Sequence, residues 1–141
     1  MKMARVPAAL VAGGAAVILK TLALKAADLV PLATAHGGLV RTVLPLPASP
    51  AFQTGFHILV GILMALFYAW FLEPLLPGRP VIKGLLYAAL VWLANAFVVL
   101  PATDEGIAGS AHLTAAGMFW FAAAHTLFFV FLAVWYARLR R

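Results

Sequence analysis

Four polar side chains interrupt stretches that otherwise dissolve in hydrocarbon: Lys20, His57, Asn95 and His125. Lysine brings a cation and up to three donors, and asparagine brings both donors and acceptors. Histidine changes charge near neutral pH and offers one ring nitrogen as an acceptor. Such groups inside a membrane span are costly and default to functional candidates. Together they suit a binding site for a small solute or ion, or a proton-handling site. The two imidazoles alone are also the right ligand type for axial coordination of a b-type haem. The histidines and the lysine have plainer readings. The histidines can simply hydrogen-bond between helices, worth about 0.6 kcal/mol each on average. Lys20 can snorkel to the outer boundary, about 9 Å away by helical rise.

The elements that carry these residues follow from composition. The chain has 141 residues, 65% hydrophobic and 10% charged, with a mean hydropathy of +1.04. A soluble domain is about a quarter charged, so the solvent for most of this surface is lipid. Four runs are long enough to cross a bilayer core, which takes about 20 apolar residues: 6–32, 51–72, 81–100 and 113–139. They lack the period-2 alternation of barrel strands. The expected fold is therefore all-α, a four-transmembrane-helix bundle in one domain, residues 1–141. Pro31, then Pro45, Pro47 and Pro50, then Pro74, Pro77, Gly78 and Pro80, then Pro101, Gly106 and Gly109 punctuate the connections. Small residues in the first run (Ala8, Ala9, Ala12, Ala15, Ala16, Gly13 and Gly14) permit close helix packing.

Depth along these helices puts the four polar residues in one layer. At 1.5 Å per residue, Lys20 and Asn95 lie roughly 21 Å from the starts of their helices. His57 and His125 lie roughly 20 Å from the inner ends of theirs. Each helix contributes one polar group, in the outer third of the membrane. Lys25 and Asp28, spaced i,i+3, sit above the layer as a secondary pair.

Charge sets the orientation. With the N-terminus inside, Lys2, Arg5, Arg79, Lys83, Arg138, Arg140 and Arg141 make seven cytoplasmic cations against Arg41 alone outside. That asymmetry votes for both termini in the cytoplasm. Tyr68, Trp70, Trp135 and Tyr136 fall where an aromatic belt at the inner interface is expected. Lys2 and Arg5 ahead of the apolar residues 6–19 also have the layout of a signal peptide. The charge pattern of the three later spans, however, requires this segment as a retained first span. The net charge of +6 sits at chain ends and in one short loop rather than on an amphipathic face. It reads as topology signal and anionic-lipid contact, not nucleic-acid binding.

A repeat is visible. FHILVGILMALFYAW (56–70) aligns with AHTLFFVFLAVWYAR (124–138) so that His57 meets His125, Ala65 meets Ala133 and Tyr68 meets Tyr136. The interval from Pro31 to His57 is 26 residues, and from Pro101 to His125 it is 24. Residues 1–72 and 73–141 read as two parallel helix–loop–helix repeats about an axis along the membrane normal. Chance matching within a small apolar alphabet is the alternative.

Several chemistries are excluded. With no cysteine there is no disulfide framework or thiolate metal site. No metal site is expected, since the nearest carboxylates, Asp104 and Glu105, lie in a loop. No nucleophile elbow, paired intramembrane carboxylates or HExxH motif occurs, which points away from an enzyme.

The run FHILVGILMALFYAW, the turn PLLPGRPVIKG, then KGLLYAALVWLANAFVVLP with a G-x-x-G loop, and AHTLFFVFLAVWY carry a resemblance over residues 52–137. They resemble small four-helix bacterial inner-membrane proteins of the domain-of-unknown-function kind. The resemblance implies location and fold, and it carries no activity. Three functions are ranked. First is an accessory or structural subunit of a membrane assembly, with a protein partner or as a homodimer. Second is a small-solute, ion or proton carrier using the polar layer. Third is a b-type haem electron carrier with His57 and His125 as ligands.

Overall fold

The computed structural model describes residues 2–27, 49–104, 106–111 and 114–141. Among these the fold is all-α, with four helices long and apolar enough to cross a membrane. Helix α1 is Arg5–Ala27. Helix α2 begins as Pro50–Phe67 and continues through Tyr68–Leu72 and Glu73–Leu75. Helix α3 begins as Pro80–Ala94 and continues through Asn95–Val99 and Leu100–Ala102. Helix α4 is Ala115–Arg140. The expected ends of the second, third and fourth helices hold to within a few residues. The expected end of the first, at residue 32, lies outside the described residues.

Local chemistry explains the helix starts. The Ser49 hydroxyl accepts from the Phe52 N–H at 3.1 Å, and Pro50 follows at the first helical position, where its missing N–H costs nothing. Pro80 opens α3 in the same way. The Thr114 hydroxyl accepts from the Gly117 N–H at 3.1 Å to open α4. Arg138 and Arg140 stand in the last turn of α4, against the negative end of its dipole.

Two prolines correct the expected boundaries. Pro74 and Pro101 were expected in connections, yet both lie inside helices. Each is preceded by a single π turn, Tyr68–Leu72 and Asn95–Val99. Proline has no N–H for the carbonyl four residues back, and its ring collides with that carbonyl. The wider turn moves the ladder aside: the Glu73 N–H bonds to the Tyr68 carbonyl, and the Leu100 N–H to the Asn95 carbonyl, each five residues back. The helices therefore continue past their prolines before turning.

The order of packing is α2–α1–α4–α3. The most extensive helix contacts are α1 on α4, α3 on α4 and α1 on α2. Small residues make them close. Ala8, Ala9, Ala12 and Ala16 of α1 are fully buried, as the packing reading of that stripe expects. A Cβ at Gly84 of α3 would lie 2.6 Å from the Val130 Cα of α4, so only glycine fits there. Although residues 76–79 join α2 to α3 directly, these two helices form no extensive backbone contact. They meet through side chains near their basic ends, where the Tyr87 hydroxyl donates to the Met64 carbonyl at 3.0 Å. Lys83 reaches back across the connection to the Glu73 carboxylate at 3.4 Å.

The core of the basic half is aromatic. Tyr87 lies against Phe129 with centroids 4.3 Å apart. Tyr68 stacks on Tyr87 at 5.9 Å and meets the edge of Tyr136 at 5.7 Å. This corrects the belt expected of Tyr68 and Tyr136: both are core residues, and only Trp70 and Trp135 face outward. Arg138 lies over the exposed Trp135 ring, 5.9 Å from its centroid.

Candidate functional site

Met64 and Phe129, both in contact with Tyr87, line a cavity of about 200 Å³. Lys20 of α1, His57 of α2, Asn95 of α3 and His125 of α4 all line it. The four residues singled out by type and depth thus meet at one place. Lys20 is 8% exposed, His57 5% and His125 8%. Lys25 lies further along α1, and Asp28, its expected partner, is outside the described residues.

Lys20 points inward rather than snorkelling. Its Nζ lies 3.4 Å from His125 Nε2 and 5.6 Å from the centroid of the Phe128 ring. His125 Nδ1 lies 2.7 Å from the Phe121 carbonyl oxygen. A carbonyl only accepts, so Nδ1 carries the proton and Nε2 is left as the acceptor for the lysine. The Phe121 carbonyl therefore fixes the tautomer that receives Lys20. Phe121 also packs its ring on the imidazole, centroids 4.3 Å apart, which fixes the ring plane. The lysine meets the His125 imidazole and the aromatic face of Phe128.

The walls are unequal. Val17, Lys20, His57, Gly61, His125, Phe128 and Phe129, from α1, α2 and α4, are buried and form the back. Val60, Met64, Val91, Asn95 and Val99, from α2 and α3, are half-buried and form the rim. The mouth therefore lies where α2 and α3 stand apart. Asn95 occupies the first position of its π turn, at the rim. Among the described lining residues none is acidic.

A b-type haem does not fit this site. Gly61 does not leave room for a ring: a Cβ there would lie 2.3 Å from Val17 Cγ2, so the space is already filled by α1. Lys20 occupies His125 Nε2, the atom an iron would need. A cavity of about 200 Å³ is also far smaller than a porphyrin. Among the described residues, no three His, Asp or Glu side chains converge for a metal ion.

Sequence reasoning missed three features of the site. The π turns were signalled by Pro74 and Pro101, which were read only as breaks. The buried tyrosine cluster beside the cavity was signalled by three Tyr–Ala pairs, Tyr68-Ala69, Tyr87-Ala88 and Tyr136-Ala137. The third is the role of Phe121 in orienting His125, one helical turn upstream and on the same face.

Comparison with protein-family models, with curated proteins and with solved structures finds no match for the chain.

Proposed function

We propose that this chain is a small multi-pass protein of the bacterial inner membrane that carries a small solute through the cavity, with both termini cytoplasmic. The observation that supports it is the convergence of one polar side chain from each of four helices on a single buried cavity. A subunit held in place by its outer faces has no use for such a cavity. An intramembrane lysine has a cost that packing alone does not require, so the carrier reading takes precedence over the accessory one.

The test is flux in proteoliposomes against a panel of small ions, organic acids, amines and protons. Wild type is expected to move at least one of them. Lys20→Met and Asn95→Leu are expected to reduce that flux by about tenfold or more while inserting normally. Absence of flux across the whole panel, or flux indifferent to both substitutions, sinks the reading and returns the accessory role to first place.

A further inference from the structure

The cavity's chemistry narrows what it holds. Its back wall offers one amine, Lys20, set against the His125 imidazole and the Phe128 ring. Desolvated charge is favourable only when paired and hydrogen-bonded, and no described lining residue supplies an anion. A single lysine matches a single negative charge. Asn95 adds amide donors at the rim, and a carboxylate accepts from both kinds of donor.

The approach to this cation is apolar. The rim residues Val60, Met64, Val91 and Val99 are aliphatic or thioether and half-buried. On the same two helices, Leu59 and Leu63 of α2 and Phe97 and Val98 of α3 are exposed on the bundle surface. In a bilayer that surface is hydrocarbon. A molecule entering between α2 and α3 thus crosses an apolar threshold and meets a cation at the back.

We propose that the cavity takes the carboxylate head of a single-chain amphiphile from the bilayer, with Lys20 as its counter-charge and its hydrocarbon chain leaving between α2 and α3. This deepens the solute-carrying reading and rests on it. A phospholipid head is too large for about 200 Å³ together with its glycerol and second chain. The same head chemistry is also available from a short carboxylate dissolved in water, so the test must separate the two sources.

The experiment uses the full chain in phosphatidylcholine nanodiscs and a diazirine-bearing analogue of lauric acid as the photoprobe. Crosslinks are mapped by peptide mass spectrometry. The expected result is labelling concentrated at Val60, Met64, Val91 and Val99. Lauric acid competes and methyl laurate does not. Lys20→Met lowers the labelling by more than about tenfold, and Lys20→Arg retains it. Val99→Trp, which narrows the mouth and leaves Lys20 in place, lowers it as well. Competition by propionate as strong as by laurate places the source in water and overturns entry from lipid. Competition by methyl laurate, or labelling unchanged in both Lys20→Met and Val99→Trp, overturns the carboxylate assignment. If labelling fails while flux in the proteoliposome panel persists, the amphiphile inference falls and the carrier reading stands.

Discussion

At the scale of single residues, Lys20 is the decisive position. Its neighbours are a lone pair on His125 and the face of Phe128, neither of which cancels its charge. Replacing a buried charge by an apolar side chain of similar length is often neutral or stabilising, because the desolvation cost vanishes with it. Lys20→Met should therefore leave the thermal midpoint in detergent unchanged or raise it by a few degrees. A fall of more than about 5 °C, as from the loss of over 1 kcal/mol in a small domain, would mark Lys20 as a structural clasp. The type and depth of Lys20, His57, Asn95 and His125 were legible in the chain because a polar group stands out against hydrocarbon and helical rise is constant. The direction of the lysine was not legible. Snorkelling and inward pairing start from the same position along α1 and differ only in what α4 places opposite.

At the scale of elements, the helix interfaces depend on missing side chains. Gly61 and Gly84 allow α2 to meet α1 and α3 to meet α4, but their surroundings differ. The atom blocking a Cβ at Gly61 belongs to the Val17 side chain, whereas those at Gly84 belong to the backbone of Phe129 and Val130. Gly61→Ala should cost about 1–3 kcal/mol, and Val17→Ala should recover most of it in the double variant. Gly84→Ala should cost at least as much with no side chain to trim. Thermal unfolding of the four variants checks the contrast, and equal loss with no recovery in the double variant would refute it. Helix existence and approximate ends were legible from apolar run length. The continuation through Pro74 and Pro101 was not, because a proline reads as a stop unless the π turn ahead of it is anticipated.

At the scale of the whole molecule, one end of the bundle is basic and the other carries the Ser49, Thr103 and Thr114 termini. Met3 and the end of α4 are joined: the Met3 N–H bonds to the Leu139 carbonyl at 2.9 Å, and Arg140 donates to the Met3 carbonyl at 3.3 Å. The two ends of the described chain therefore lie at the same end of the bundle. Because the chain has no cysteine, single introduced thiols report topology without background. Arg79→Cys and Arg141→Cys should resist a membrane-impermeant maleimide in intact cells, and Ser110→Cys should react. The opposite pattern would invert the orientation drawn from the basic residues. The bundle class was legible from composition. The packing order α2–α1–α4–α3 was not, because the four runs are similarly apolar and the contacts are set by where glycine and alanine fall.

The α1–α4 interface also has a consequence in time. Chains emerge from the ribosome and enter the membrane N-terminus first, so α1 is made earliest of the four spans and α4 latest. Lys20 waits in the bilayer through the synthesis of two further spans before His125 and Phe128 arrive to receive it. During that interval the nascent protein carries an unaccompanied lysine in lipid. The contact between α1 and α4 forms only when the fourth span docks, although α1 already has α2 as a neighbour by then.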